Sequence, residues 1–280
     1  MNALEIRNLT KKFPGFALEN LNLTLPAGCI LGLIGENGAG KSTTIKLILD
    51  ILHKDSGSIT ILGRNQEDHL EITKEDIGVV MDDLGLPGCL NTEQVGRVMA
   101  GIFRNWDNRA YQGLLKDLDI PEKKAFKDFS RGNRMKLGIA IALSHQAKLL
   151  LLDEATSGLD PVARDQVVEM LEDFTRDESH AVLISSHIVS DLEKLCDYIA
   201  FLHKGRLMLM EEKDVLLEQY GIVRCDRERL EKLDGEAILH RKDTAYGSEA
   251  LVRRDAVSAG YDISPVSIEE LFVYMVKEAK

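Results

Sequence analysis

The sequence has few cysteines and few aromatic residues, and both shortages restrict what it can be. Four cysteines are present: Cys29, Cys89, Cys196 and Cys225. None has metal-ligand spacing to another, which favours reduced, mostly buried thiols in a cytosolic protein over a zinc site. Aromatics make up 5% of the 280 residues and hydrophobic residues 44%, so aliphatic side chains must supply most of the core.

Long apolar runs and an excess of basic residues are also missing. No stretch approaches the ~20 apolar residues that a membrane-spanning helix needs, and the first seven residues have no apolar signal core. We therefore expect a chain that does not itself cross a membrane. The formal net charge of −11 argues against a passive binder of nucleic acid or anionic lipid, because both partners need a basic surface.

The first informative pattern is a short apolar run that leads into glycines and then into a helical repeat. Ile30–Ile34 has the length and composition of a buried strand, and a helix over Ser42–Leu52 places its apolar residues on one face. The loop between them reads Gly35, Glu36, Asn37, Gly38, Ala39, Gly40, Lys41 and Ser42.

This loop has the composition of a phosphate-binding site. Its glycines let backbone N–H groups curl around phosphate oxygens, and the following helix points its positive end at them. Lys41 supplies a positive charge to the β and γ phosphates, and the Ser42 hydroxyl is a hard oxygen ligand for Mg²⁺. The pattern predicts Mg·ATP binding; the alternative is a flexible glycine turn.

A second buried strand, predicted over Lys148–Asp153, ends in two carboxylates. Asp153 closes the strand, where a water-mediated Mg²⁺ ligand of a phosphate site is expected. Glu154 follows it and is suited to orient and deprotonate an attacking water. On its own this is ordinary strand-end chemistry, but together with the glycine loop it predicts a nucleotide hydrolase.

The order of elements predicts a mainly parallel sheet with two additions. Buried strands alternate with helices over residues 1–219, the pattern of an α/β domain. Residues 91–145 are helical in character, which indicates an inserted helical subdomain over about 84–145. Residues 220–280 are predicted to form a small α+β accessory region, whose last helix opens with the capping box Ser267–Glu270.

Three further motifs narrow the prediction. They are the run Phe129–Lys136 before the second strand, Ser157–Asp160 after it, and His187. With the glycine loop, they resemble the ATP-binding cassette (ABC) ATPases over about residues 3–215, in the order that the family has. The resemblance implies an α/β P-loop NTPase fold with an antiparallel β subdomain, an inserted α-helical subdomain and, here, a small α+β C-terminal extension.

The resemblance assigns nucleotide contacts to individual residues. Phe13 matches the aromatic residue that stacks on adenine in this family. The Walker A loop then supplies Gly35, Asn37, Gly38, Ala39, Gly40, Lys41, Ser42 and Thr43 as contacts to ATP.

The same resemblance assigns the catalytic groups. Asp153 and Glu154 match the Walker B aspartate and the catalytic glutamate, and His187 matches the switch histidine that contacts the γ-phosphate. Asp160 ends the D-loop and is expected at the nucleotide. The resemblance thus implies Glu154, His187 and Lys41 as catalytic residues, with Ser42 and Asp153 among the Mg²⁺ ligands.

The signature motif implies a second chain. Ser130 and Gly132 are retained from the family signature at the start of a helix, and in the family this anion site faces ATP held by the opposite subunit. One set of motifs therefore requires two chains, either two copies or one copy with a relative. Arg131 replaces a signature glycine and is expected either to approach the partner's phosphate or to lie in solvent.

A second departure from the family pattern lies after the predicted strand Ile77–Met81. Asp82 stands where the family has a glutamine that binds Mg²⁺ and reports on the membrane partner. A carboxylate is also a good ligand for a hard cation, so Asp82 is predicted as a metal ligand; the alternative is an ordinary loop acid.

The resemblance predicts the ATPase subunit of a bacterial, exporter-type membrane transporter. Such a subunit lies in the cytoplasm, peripheral to the inner face of the membrane, and docks on a separate membrane-spanning subunit through residues 82–101. Binding of nucleic acid is not expected. Two alternatives are a soluble ABC ATPase acting on a ribosome or DNA complex, which the acidic net charge disfavours, and a non-hydrolysing regulatory cassette, which Glu154 and His187 disfavour.

Overall fold

Strands and helices alternate along the computed structural model, which describes residues 1–67, 74–244 and 247–278. The strands are β1 (Asn2–Phe13), β2 (Phe16–Pro26), β3 (Ile30–Ile34), β4 (Ser56–Ile61), β5 (Arg64–Asn65), β6 (Ile77–Val80), β7 (Leu149–Asp153), β8 (Ala181–Ser186), β9 (Tyr198–His203), β10 (Arg206–Glu212), β11 (Tyr220–Cys225), β12 (Ile238–Thr244), β13 (Gly247–Arg253) and β14 (Ile263–Ser264). The helices are α1 (Lys41–Ile48), α2 (Thr92–Ile102), α3 (Asn108–Asp117), α4 (Arg131–Leu143), α5 (Pro161–Thr175), α6 (Val189–Leu195), α7 (Lys213–Gln219), α8 (Arg227–Leu230) and α9 (Ile268–Glu278).

The bounds of the buried strands agree with the prediction to within about one residue, whereas the first helix is shorter than predicted. Strand β3 matches the prediction, and β7 begins one residue later than expected, at Leu149. The prediction that the first helix extends to Leu52 is wrong. Helix α1 ends at Ile48, because Asp50 adopts a left-handed backbone with φ of 55°, and a right-handed helix does not continue through such a residue.

The central sheet has the order β10-β9-β3-β8-β7-β6. Its β9, β3, β8, β7 and β6 strands are parallel, and only β10 at the edge runs antiparallel, so the prediction of a mainly parallel sheet is confirmed. Parallel strands point their carboxyl ends to one edge. The segments after β3, β7 and β8 therefore leave the sheet side by side, which is where ligands bind in such folds.

Both faces of this sheet are covered by apolar layers. Side chains alternate along a strand, and the four consecutive leucines of β7 divide accordingly. Leu149 and Leu151 join one core with β1, β2, β4 and α1, while Leu150 and Leu152 join the other with the helices. The first core contains the antiparallel sheet β2-β1-β4-β5, the expected antiparallel subdomain.

The chain between β6 and β7 forms the helical insertion. Helices α2, α3 and α4 pack together there, and the buried Tyr111 hydroxyl donates a hydrogen bond of 2.9 Å to the carbonyl of Thr92. Each helix has a polar residue at its N-cap: Asn91, Asp107 and Ser130. Among the described helices, none has both the length and the apolar character that crossing a bilayer takes.

The C-terminal residues form an α+β unit that is joined to the rest by apolar contacts. Its antiparallel sheet has the order β12-β13-β11-β14, and Ser267 and Glu270 form the expected capping box of α9. Phe272 of α9 packs on Phe201 of the central sheet, with 5.2 Å between ring centroids. The predicted boundary at 219 and 220 falls between α7 and β11, and the domain division itself stays a prediction.

Candidate active site

The loops after three neighbouring strands bring the predicted catalytic residues together. Strand β3 pairs with β8, and β8 pairs with β7, so that Ile34 lies opposite Ser186 and Asp153 opposite Ser185. The residues that follow are Gly35, His187 and Glu154. The register alone therefore places the glycine loop, the switch histidine and the second carboxylate at one edge.

The glycine loop has a backbone that only glycine adopts readily. Gly38 and Gly40 have φ of 81° and 114°, a region in which other residues are strained. Gly40 is the N-cap of α1, which begins at Lys41. The first N–H groups of a helix have no partner within it, so this turn presents donors and a positive dipole end to an anion.

The side chain of Lys41 is buried against the glycine loop. Its side chain is 6% exposed, and Nζ donates a hydrogen bond of 2.7 Å to the carbonyl of Gly35. The same Nζ lies 3.2 Å from Oε1 of Glu154. The cation that is predicted to bind phosphate thus pairs with the carboxylate that is predicted to be catalytic.

Glu154 is held from both sides. His187 Nδ1 lies 2.6 Å from its Oε2, while Lys41 faces Oε1. The backbone of Glu154 has φ of 54°, which costs free energy for a residue other than glycine and concentrates at functional sites. Its N–H is satisfied by the carbonyl and the hydroxyl of Ser185, at 3.1 and 3.2 Å.

Ser185 also orients the neighbouring Asp153. Its hydroxyl donates a hydrogen bond of 2.6 Å to Oδ1 of Asp153, and both side chains are buried. This serine therefore contacts both predicted carboxylate residues, and the sequence analysis did not single it out as a site residue. A polar residue at the end of an otherwise apolar buried strand was the available signal.

These groups line a cavity of about 700 Å³, large enough for a nucleotide. The lining residues are Phe16, Glu36, Asn37, Gly38, Gly40, Lys41, Ser42, Thr43, Arg131, Glu154, Ser157 and His187. Gly35 and the buried Ala39 lie within the same loop, behind this surface. The cavity therefore collects most of the residues predicted for the Walker A loop together with Glu154 and His187, which are predicted to be catalytic.

The aromatic wall of the cavity is Phe16, which the sequence analysis did not single out. Phe13, the predicted adenine platform, stacks on Phe16 with 6.2 Å between ring centroids. Gly40 contributes no side chain at this wall, where a Cβ would come within 3.1 Å of the Phe16 ring. In the described part of the chain, Phe16 lines the cavity and Phe13 does not. Adenine stacking on Phe13 stays a prediction.

The signature residues occupy the start of α4. The Ser130 hydroxyl accepts a hydrogen bond of 3.2 Å from the N–H of Asn133 and caps the helix. Gly132 packs against the D-loop, because a Cβ there would lie 3.0 Å from the carbonyl of Gly158. Within the described residues, neither Ser130 nor Gly132 lines this chain's own cavity, as expected of a motif that serves an opposite subunit.

Asp160 has a structural role that the sequence analysis did not anticipate. Its carboxylate caps α5 by accepting a hydrogen bond of 3.0 Å from the N–H of Ala163. This bond lowers the pKa of Asp160, and burial opposes it more weakly. Contact between Asp160 and nucleotide therefore stays a prediction, while its capping of the helix that follows the D-loop is observed.

The two departures from the family pattern contact each other. Arg131 Nε donates a hydrogen bond of 3.0 Å to Oδ1 of Asp82, and Nη2 lies 2.9 Å from the same oxygen. Arg131 also lines the cavity, which Asp82 does not do in the described structure. Both side chains are more than half exposed. The assignment of Asp82 as a metal ligand stays a prediction. In the structure its carboxylate forms an ion pair with Arg131.

The donor set suits Mg²⁺ bound together with phosphates. Among the described residues, no group of three or more His, Cys, Asp or Glu side chains is placed to hold a metal. Magnesium, however, is commonly bound by one or two protein oxygens, waters and substrate phosphates. Ser42 lines the cavity and Asp153 is oriented by Ser185, so the residues present fit a magnesium ion that arrives with nucleotide.

Comparison with known proteins identifies the family. A family model described as ABC transporter matches residues 18–157. The chain is 35% identical over 244 residues to the lantibiotic transport ATP-binding protein SrtF of Streptococcus pyogenes, covering 85% of this chain and 99% of that protein. It is 32% identical over 212 residues to the bacitracin transport ATP-binding protein BcrA of Enterococcus faecalis, covering 73% and 68%. A solved ATP-binding subunit of an ABC transporter superposes with a TM-score of 0.70 at 27% identity, covering 78% of this chain and 92% of that one.

Proposed function

The chain belongs to the ABC transporter family as an ATP-binding, ATP-hydrolysing subunit, and we propose that it works as one half of a head-to-tail dimer that drives an exporter. The observation that supports the site assignment is the meeting of Lys41, Glu154 and His187 in one nucleotide-sized cavity. Phosphoryl transfer to water uses a cation for the phosphates and a base for the water, which here are Lys41 and Glu154, with the imidazole of His187 to orient the base.

The roles of the side chains follow from these contacts. Lys41 leaves Glu154 to bind the β and γ phosphates, since a triphosphate offers a stronger anion than one carboxylate. Glu154, still oriented by His187 and by the Ser185 bonds to its backbone, then accepts a proton from the attacking water. Ser42 and Asp153 would hold a magnesium ion, whose charge would neutralise that of the phosphates.

A second chain completes the site. The signature residues Ser130 and Gly132 lie outside the cavity of their own chain, at the N-terminus of a 13-residue helix. Such a helix start binds anions, and the head-to-tail arrangement brings it to ATP on the opposite chain. We propose that the second chain is a copy of this one or a relative.

The membrane partner is proposed to dock on residues 82–101. This segment leads from the central sheet into the helical insertion and carries the exposed Val98, which is 44% accessible. Ile102, one turn later on α2, is 62% accessible. Apolar side chains exposed at i and i+4 form a stripe that suits the groove contact of a partner helix. Docking there would hold the chain at the cytoplasmic face of the membrane.

The class of cargo is inferred from the relatives. SrtF is named for lantibiotic transport and BcrA for bacitracin transport. We propose a compound of the lantibiotic or bacitracin kind as cargo.

The test is purification of the tagged chain from detergent-solubilised membranes of its natural host. Recovery of a membrane protein with several spans, together with magnesium-dependent ATPase activity that doubles in specific rate or more on reconstitution with that protein, supports the proposal. Recovery of ribosomes or DNA in its place overturns it. The variant Val98→Asp, which puts a charge on the exposed stripe, is expected to lose the membrane protein while retaining ATP binding.

A further inference from the structure

An ion pair joins the two helices that follow the D-loop and the switch histidine. Helix α5 begins at Pro161, directly after the D-loop, and α6 begins at Val189, two residues after His187. Arg164 of α5 donates a hydrogen bond of 3.1 Å from Nη1 to Oδ1 of Asp191, which lies on α6. Neither residue has a role in the proposed function.

The carboxylate of Asp191 is buried and depends on this contact. Its side chain is 8% exposed, against 30% for Arg164. In the described part of the chain, Oδ2 of Asp191 has no hydrogen-bond partner, so the charge of the carboxylate is balanced through Oδ1 and the guanidinium. A buried charge that loses its partner is strongly unfavourable. Helix α6 therefore has to keep Asp191 within reach of Arg164.

The position of α6 depends on few other directional contacts. The helix has seven residues and, among the residues that the structure describes, no side chain caps its N-terminus. Val189, Leu192 and Leu195 bury one side of it in the apolar core. Apolar burial is non-directional, whereas a hydrogen bond restricts both distance and angle. The bond from Arg164 therefore limits how far α6 can slide or turn against α5.

A shift of α6 would move His187, because only Ile188 separates this histidine from the first residue of the helix. The side chain of His187 is 44% exposed, so its ring has limited packing of its own. Its Nδ1 lies 2.6 Å from Oε2 of Glu154. A displacement of about 1 Å would take this contact out of hydrogen-bond range. The geometry of the predicted catalytic pair therefore depends on where α6 is held.

We infer that Arg164 is a positioning residue for ATP hydrolysis: through Asp191 it holds α6, and with it the imidazole of His187, at the base. This inference depends on the role that the proposed function gives to His187. In the described structure, neither Arg164 nor Asp191 lines the nucleotide cavity. The ion pair is therefore expected to affect the rate of the chemical step and not the affinity for ATP.

The test replaces the whole ion pair by apolar side chains, in the double variant Arg164→Met with Asp191→Leu. No buried charge is left without a partner, and such replacements often preserve stability. We expect kcat to fall about tenfold at an unchanged Kd for Mg·ATP, since a 1 Å misplacement can cost about 10²-fold in rate. Arg176→Ala is the control and should keep the wild-type kcat, because its pair with Asp173 lies at the other end of α5. A double variant with wild-type stability and wild-type kcat would overturn the inference.

Two single variants test the ion pair itself. Arg164→Lys keeps a cation for Asp191 and should retain about half of the wild-type kcat or more, because one N–H bond to Oδ1 is within the capacity of an ammonium group. A loss as large as in the double variant would overturn the role of the charge. Asp191→Asn keeps the shape of the buried side chain and removes its charge. It is expected to lower kcat at unchanged ATP affinity, and it provides the same test if the double variant does not fold.

A background of His187→Ala separates positioning from a general loosening of the fold. If the ion pair acts through His187, its replacement should lower kcat no further once His187 is alanine, since residues that act as a unit are non-additive. The same loss in both backgrounds would overturn the inference. The proposed function fails separately. Wild-type kcat in His187→Ala rejects the role of His187, whereas a low kcat there and an unchanged kcat in the stable double variant reject the positioning by Arg164 alone.

Discussion

The Nδ1 of His187 lies 2.6 Å from Oε2 of Glu154, and this contact joins the ends of two neighbouring strands, β8 and β7. It leaves Oε1 of the same carboxylate to Lys41, at 3.2 Å. Both oxygens of the Glu154 carboxylate therefore have a partner. The proposed role of Glu154 as the general base requires that one of these partners leaves its oxygen free to accept a proton from water.

Glu154→Gln is expected to keep ATP binding and to lower the rate of hydrolysis by about 10²- to 10⁴-fold, the contribution of a general base. The amide keeps the shape of the side chain but accepts a proton poorly. Steady-state phosphate release measures the rate, and size-exclusion chromatography with ATP should show the chain trapped as a dimer. Turnover at the wild-type rate would exclude Glu154 as the base.

Lys41→Ala is expected to weaken binding of ATP by about tenfold or more, since a charged hydrogen bond contributes about 1.5–3 kcal/mol. Titration with a fluorescent ATP analogue measures the affinity. Lys46→Ala, on the same helix but outside the cavity lining of the described structure, is the matched control and should bind normally. Unchanged affinity in Lys41→Ala would contradict its assignment to phosphate.

Ser185→Ala is expected to lower kcat about tenfold with little change in ATP affinity. Removing the hydroxyl takes a buried hydrogen bond from Asp153, at about 1–3 kcal/mol for an unsatisfied group, and leaves the N–H of Glu154 with only the carbonyl of Ser185. Ser144, also buried and bonded to the carbonyl of Ala140, is the control for loss of a serine from the core. If both variants hydrolyse ATP alike, Ser185 has no positioning role.

Phe272→Ala is expected to destabilise the protein by about 3 kcal/mol, because its ring packs on Phe201 and its removal leaves a cavity between α9 and the central sheet. Val273→Ala, the next residue and 41% exposed, should change the free energy of unfolding by less than about 0.5 kcal/mol. Urea unfolding measures both. A Phe272 variant as stable as the Val273 variant would show that the C-terminal unit is attached by other contacts.

Thiol labelling at pH 8 should modify Cys89 well before Cys196. Cys89 is exposed, whereas burial raises the pKa of Cys196 far above its ordinary value and keeps it a neutral, unreactive thiol at that pH. Cys89 lies within the proposed docking segment, so the membrane partner should slow its modification. Mass spectrometry of the labelled chain measures this, and equal rates with and without the partner would argue against docking there.

Most of the features that the sequence predicted depend on motifs of contiguous residues. The glycine loop, the strand that ends in Asp153 and the cap Ser130 each depend on a few adjacent residues, whose backbone conformation and charge are fixed locally. The mainly parallel sheet was also predictable, because short apolar runs mark buried strands and these alternate with helices along the chain. The end of α1 was predicted too late, because an apolar stripe does not reveal the left-handed backbone of Asp50.

The contacts between motifs were decided by the tertiary structure. Three observations depend on residues that lie on different elements. Phe16 lines the cavity and Phe13 does not, Ser185 forms two hydrogen bonds, and Arg131 pairs with Asp82. The sequence determined which chemical groups are present and which local backbone each adopts. Which of them meet depended on the strand order β9-β3-β8-β7, because that order brings the ends of β3, β7 and β8 side by side, and pairing between strands far apart in the chain is not encoded by a local pattern.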